Sequence, residues 1–296
     1  MTNESGRCAI CIVGDSRSGS SILQGLLALH REATAVGELR RLQKFIAEDL
    51  SCSCGKRVTV CEHWLAIMRR AGLDADSIRT QPPAQKILRR LEEATGFAGA
   101  TLHATALTRP LLFRGATVAD HSARLLAAAA DLAQARVVID NSKDPGHAVY
   151  LLHQQILSVH VVFILRDGRG TVWSKMRRTG ISVDEAARHW VRTTRAMLAL
   201  RRVLGPQRST WIRYEDLCAD PRLVVSGIAE QLGLASDGFA ERSDEPYHHI
   251  GGTPDFSGIA FASIRHDARW REEMPPATLT QFEAIAGSFN RRLDYL

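Results

Sequence analysis

Residues Cys8–His30, CAICIVGDSRSGSSILQGLLALH, decide the fold. Ala9 to Val13 form a short apolar run of the kind that makes a strand buried on both faces. A glycine-framed polar loop follows, Gly14-Asp15-Ser16-Arg17-Ser18-Gly19-Ser20-Ser21. Ile22, Leu23, Leu26, Leu27 and Leu29 then recur at helical spacing. A strand, a tight loop and a helix start aim backbone N–H groups and the positive end of the helix at an anion. Gly14 and Gly19 stand where the glycines of a phosphate-binding P-loop, GxxxxGK[ST], stand. Ser20 takes the place of that motif's lysine. The loop is therefore expected to hold phosphate-like oxygens without ordinary nucleoside-triphosphate chemistry.

The same strand–helix rhythm returns downstream. Ser122 caps a helix through Leu132, and Arg136 to Asp140 form a second buried strand ahead of the loop Asn141-Ser142-Lys143-Asp144-Pro145. A helix over about 146–157 leads to a third strand, Val159 to Leu165, closed by Arg166-Asp167-Gly168-Arg169. Ser182-Val183-Asp184-Glu185 is a capping box for a long helix reaching Leu204. Thr210 to Tyr214 form a fourth strand, Asp220-Pro221 starts another helix, and a last helix covers about 276–289. Ala33 to Arg40 is a short extended segment. Alternation of this kind predicts an α/β fold: a P-loop-like central parallel sheet flanked by helices on both faces. Ligands of such sheets bind beyond the carboxyl ends of the strands, so the loops after Val13, Asp140 and Leu165 should converge on one site.

Between residues 41 and 121 the sheet rhythm lapses. Helices are expected at 43–49, 64–71 and 83–95, with connections at 81–83 and 96–99, and the region reads as a helical insertion or cap. It carries Cys52, Cys54, Cys61 and His63. As zinc ligands these have an unusually short C-x-C spacing; a reduced structural loop, a zinc site and a labile disulfide are the open readings.

Three motifs resemble those of sulfotransferases that use 3′-phosphoadenosine 5′-phosphosulfate (PAPS). Arg17-Ser18-Gly19-Ser20-Ser21 matches the family's loop around the 5′-phosphosulfate. Arg166-Asp167-Gly168-Arg169 followed by Ser174 matches its 3′-phosphate motif, with Arg166 and Ser174 as the implied ligands. Arg213-Tyr214-Glu215-Asp216-Leu217 with Asp220-Pro221 matches a recurrent structural signature. The resemblance is nearest to the carbohydrate and tyrosyl-protein branches and leaves about 43–121 poorly covered. It implies one domain over 1–296, with the insertion at 41–121 shaping the acceptor site.

From the same resemblance come candidate roles. Lys143 matches the lysine loop of those branches, where a cation stabilises the bridging oxygen. Glu38, in Gly37-Glu38-Leu39-Arg40, matches a glutamate that takes the acceptor's hydroxyl proton, with one residue fewer before the arginine here. His63, His121, His147 and His249 are the alternative bases. Arg265, in Ile264-Arg265-His266-Asp267-Ala268-Arg269-Trp270, is implied to reach back to the 3′-phosphate. Arg17 is expected both to bind and to act in transfer. The implied reaction moves a sulfuryl group in line from PAPS to a hydroxyl of a small molecule, glycan or peptide, leaves 3′-phosphoadenosine 5′-phosphate, and requires no metal. A sulfuryl group leaving phosphate has less charge to neutralise than a triphosphate.

Composition agrees with this and narrows the alternatives. Hydrophobic residues make up 45% and charged residues 24%, as in a globular protein, with no apolar run long enough to span a bilayer. The polar start Met1 to Arg7 has no signal-peptide layout, so a cytoplasmic chain with reduced cysteines is expected. Net charge is +6 and arginine far outnumbers lysine, which suits paired oxygens of phosphate and sulfate. No basic stretch is interleaved with aromatics as in a nucleic-acid module. Two rivals remain at this level: a small-molecule kinase with Val137-Val138-Ile139-Asp140 as a Walker-B-like strand, and a non-catalytic nucleotide- or nucleic-acid-binding protein. Oligomeric state is not legible.

Overall fold

A computed structural model describes residues 6–79, 121–154, 156–243, 248–252 and 259–296. Five strands form one parallel sheet: β1 (Cys8–Gly14), β2 (Ala33–Gly37), β3 (Val137–Lys143), β4 (Ser158–Leu165) and β5 (Ser209–Arg213). Their order is β2-β3-β1-β4-β5, so the strand that opens the chain is central. Its alternation explains the two-layer cover. Ala9, Cys11 and Val13 pack into one apolar cluster with Val138, Val161 and Phe163, while Ile10 and Ile12 join the opposite cluster with Ile139, Val162 and Ile164.

Helices close both faces. On the Ile10 face lie α1 (Ser20–Leu27) and, farther along the chain, Pro221–Gln231, through Leu23, Leu26, Val225 and Ile228. On the other face lie α2 (Leu42–Ala47), α3 (Glu62–Arg70) and α4 (Ala75–Arg79), followed by α5 (His121–Leu132) and α6 (Pro145–Gln154). A third cluster, Leu165, Val172, Trp190 and Phe282 among it, seats α7 (Gly168–Thr179) and α8 (Val183–Leu204) at the edge of the sheet. Trp190 and Phe282 are fully buried there, and truncating either to alanine is worth about 3–5 kcal/mol. Among the described residues no helix is long and apolar enough to cross a membrane.

Several local expectations shift. The expected helix at 83–95 and its flanking connections lie outside the described residues. The segment Asn141-Ser142-Lys143, read as loop, continues β3: Lys143 pairs with Val13 across a register irregularity. The cause is Asp140, whose buried carboxylate accepts from Ser142 N at 3.0 Å and from Ser142 Oγ at 2.5 Å, holding the chain extended. The last helix forms where expected and runs without a break, with one local widening. Pro276–Phe282 passes through a wide π turn, Glu283–Gly287, into Ser288–Arg291. The extra residue of that turn brings buried Asn290 to the start of α7, where its Oδ1 accepts from Gly168 N at 3.0 Å.

Candidate active site

The first loop turns on Gly19. At φ 90° it precedes α1 in the left-handed region, and a Cβ there would fall 2.4 Å from the Tyr214 ring. Arg17 (φ 72°) and Lys143 (φ 64°) also carry positive φ without being glycine, a strain of roughly 1–3 kcal/mol each that is concentrated at functional positions. Ser18 and Ser20 are buried and Ser21 is half-buried at the helix start. Asp15 is pinned beneath the loop. Its carboxylate accepts from Lys175 Nζ at 2.5 and 2.6 Å, and His189 Nδ1 lies 3.1 Å away. Burial opposes the charge on Asp15, but His189 and Lys175 outweigh it and hold the carboxyl below its ordinary range.

Beside this loop opens a cavity of about 230 Å³ lined by Arg17, Arg166, Ser174, Arg178, Asp267 and Arg269, with Arg177 and two tryptophans at its margin. Arg17 Nε donates to Ser174 Oγ at 3.0 Å, which joins the first loop directly to α7. Buried Arg166 donates to Arg17 O at 3.0 Å and to Asp267 O at 2.5 Å, with its guanidinium 4.4 Å over the Tyr214 ring. Among the described lining residues five arginines thus face one aspartate, and Arg177 is also paired with Glu273. Partial burial makes Arg17 a weaker base than usual, and the charges of Arg178 and Arg166 add to that, with Asp267 opposing. Like charges crowded in this way favour a bound anion.

At the far side of the sheet edge, β2 and β3 hold a second group. Glu38 follows β2, and Lys143 Nζ donates to its Oε1 while Arg41 donates to Oε2 at 3.1 Å. Burial works against its charge, yet the Lys143 ammonium keeps the Glu38 carboxyl below the usual range. Asp140 aligns the two strand ends: besides Ser142 it accepts from Leu39 N at 3.3 Å and pairs with His147 Nε2 at 2.8 Å. His249 lies buried next to Glu38 and bonds Gly251 O at 2.9 Å. His63 is half-buried and stacked on His248, and His121 begins α5.

The structure therefore brings together Arg17, Ser18, Gly19, Ser20, Ser21, Arg166 and Ser174, and sets Glu38 against Lys143. It does not bring Arg265 to the cavity. That guanidinium folds back onto Ala262 O at 2.7 Å and Ile264 O at 2.8 Å, and Arg269, four residues on, lines the cavity instead. Arg178, Arg269, Lys175, Asp15 and His189 went unnoticed in the sequence. Lys175 adjoins Ser174, but nothing in the sequence pairs it with a residue 160 positions earlier.

Two solved structures share the fold. They are the sulfotransferase domain of the Synechococcus PCC 7002 olefin synthase (21% identity, TM-score 0.53, 95% of this chain and 94% of that one) and the sulfotransferase domain of the curacin biosynthetic pathway (19%, TM-score 0.50, 96% and 97%). No curated protein sequence matches the chain. A model of the sulfotransferase family matches residues 9–238. With that match over most of its length, the protein belongs to the sulfotransferase family and is a sulfotransferase, an enzyme of a family that takes its sulfuryl group from PAPS and delivers it to hydroxyl acceptors.

Proposed function

We propose that this enzyme binds PAPS across the β1 and β4 strand ends and transfers the sulfuryl group to an acceptor hydroxyl presented near Glu38. One observation carries the reading: the five-arginine cavity joined to the first loop by the Arg17–Ser174 hydrogen bond. Arg166, Ser174 and Arg269 hold the 3′-phosphate. The N–H groups at the start of α1, with Ser18, Ser20, Ser21 and Arg17, hold the phosphosulfate oxygens. Both strand ends present their ligands on rigid backbone, so positioning supplies much of the acceleration.

Glu38 is the base. Ionised and acceptor-only, it takes the hydroxyl proton late, as sulfuryl transfer makes that proton acidic. Lys143 then loses its carboxylate partner as negative charge grows on the bridging oxygen, and its ammonium turns to that charge. No step in this scheme calls for a metal ion. The acceptor is a hydroxylated small molecule, glycan or peptide, and the insertion at 41–121 of a single 1–296 domain shapes its site. The cysteines are reduced, as in a cytoplasmic chain.

Calorimetry in Mg²⁺-free buffer tests the donor site. Tight binding of 3′,5′-diphosphoadenosine is expected, with labelled sulfate passing from PAPS to members of an acceptor panel. Binding of ATP that depends on Mg²⁺, with none of the diphosphoadenosine, would sink the reading.

A further inference from the structure

We propose that Cys52, Cys54, Cys61 and His248 form a structural zinc site that fastens one wall of the active site. Their three sulfurs and the imidazole nitrogen all lie within 4.8 Å of one another. Cys54 Sγ is 3.7 Å from Cys61 Sγ, and His248 Nδ1 is 3.4 Å from Cys61 Sγ and 3.9 Å from Cys52 Sγ. A tetrahedron built on Zn–S bonds of about 2.3 Å and a Zn–N bond of about 2.0 Å has S···S edges of about 3.8 Å and S···N edges of about 3.6 Å. These three separations depart from that frame by no more than about 0.3 Å. Three thiolates and an imidazole fill four positions, which is the donor set of a closed, non-catalytic zinc site.

The backbone accommodates the short C-x-C spacing. Gly55, at φ 84°, turns the chain so that its N–H donates to Cys52 O at 2.9 Å while Cys52 N donates to Lys56 O at 2.9 Å. Ser51 pairs with Arg57 across the resulting tight hairpin. Cys61 stands at the N-cap of α3, which fixes its backbone beside the hairpin. The fourth ligand is His248, and His63, its sequence-based rival, stacks on the His248 ring with centroids 4.6 Å apart. On binding, the three thiols give up their protons to solvent, three Zn–S bonds and one Zn–N bond form, and the unit carries a net charge of −1.

Such an ion would join parts of the chain that sequence keeps far apart, since Cys61 and His248 are 187 positions distant. Closing a span of that size restricts the unfolded chain strongly. The clip also acts on the site. From His248 the chain runs past the end of β2: His249 N donates to Ser53 Oγ at 2.9 Å, Ile250 N to Val36 O at 3.0 Å, and Glu38 N to Ile250 O at 2.6 Å. Gly251 packs so closely that a Cβ would lie 3.0 Å from the Glu38 carboxyl carbon. The metal would lock this segment, and with it the backbone of Glu38, to the insertion. Its presence does not depend on Glu38 being the base.

Metal analysis of the full-length chain, purified without chelator from zinc-supplemented medium, tests the site. One zinc per chain and six titratable thiols after denaturation are expected, and a thiol-avid chelator should lower the melting temperature. Cobalt in place of zinc should give intense thiolate-to-metal charge-transfer and tetrahedral bands. Cys54→Ser and His248→Ala should each reduce zinc to background, whereas His63→Ala should keep it. Wild-type protein free of zinc and without a cobalt spectrum would overturn the proposal, and so would an intact mass short of two protons, which means a disulfide. Zinc lost in His63→Ala but kept in His248→Ala would also overturn the ligand set. The wild-type metal content and cobalt spectrum decide the matter even where a variant fails to fold.

Discussion

The two halves of the sheet edge treat charge in opposite ways. At the ends of β1 and β4, Arg17, Arg166, Arg177, Arg178 and Arg269 line a cavity in which Asp267 is the one lining carboxylate among the described residues, with Glu273 paired to Arg177 beside it. At the ends of β2 and β3 the charges are matched, Glu38 with Lys143 and Arg41 and Asp144 with Arg40, and Asp140 is hydrogen-bonded to His147. An excess of one sign is a standing demand for a ligand of the other, which is why binding is proposed for the first half. A matched pair needs no ligand to be stable and can hold a proton acceptor ionised in a set position, which is why the reaction is proposed for the second half. Family membership alone would not have separated these tasks.

That division can be broken by experiment. Glu38→Gln should lower turnover by roughly 10²–10⁴-fold, the range for losing a general base, while leaving affinity for 3′,5′-diphosphoadenosine as it was. Equal losses in both, measured by steady-state kinetics and calorimetry, would merge the two halves into one. Lys175→Met should destabilise the fold by about 3–5 kcal/mol in urea or thermal melts, because it strands the Asp15 carboxylate under the first loop. The same pair makes stability fall in acid: the depressed Asp15 contributes above its unfolded pKa, and that contribution is lost as pH drops through the lower folded value.

Arg166→Ala should weaken diphosphoadenosine binding by roughly 100-fold, about 3 kcal/mol for a desolvated charge contact, with the smaller effect on turnover at saturation. Lys143→Met tests the matched half more gently. Glu38 works as a base only when ionised, so activity is lost as pH falls through its pKa, which Lys143 holds below the ordinary glutamate value. Removing the lysine should move the acidic limb of the kcat profile upward, and an unmoved limb would detach Lys143 from Glu38. Arg265→Ala should change diphosphoadenosine affinity by less than about 0.5 kcal/mol, since its guanidinium is turned to local carbonyls. A loss comparable to that of Arg166→Ala would return Arg265 to the cavity.

Much of the binding half was legible before any coordinates. Gly14, Gly19, Arg166 and Ser174 sit in local motifs, and a motif of contiguous residues at a strand end carries its own geometry. The tail carries no such contiguous motif. Arg265 and Arg269 belong to one stretch without regular structure, so no period assigns a direction to either, and the contacts of Asp267 and Trp270 decide it. His63 against His248 is a similar case. Cys61 and His63 are neighbours in sequence, but α3 turns His63 to stack on a ring that arrives from residue 248.

By itself, then, the sequence determined the parallel α/β architecture, a first strand buried on both faces, and the glycine-framed turn that leads from it into a helix start. Those rest on hydrophobic period, glycine conformation and helix polarity, all local properties of the chain. Only the tertiary structure decided the charge economy of the site: five arginines lining one cavity with Asp267, Lys175 beneath Asp15, Lys143 on Glu38, and three cysteines gathered on a distant histidine. Coulomb interaction depends on separation in space and on burial, and neither is a function of position along the chain.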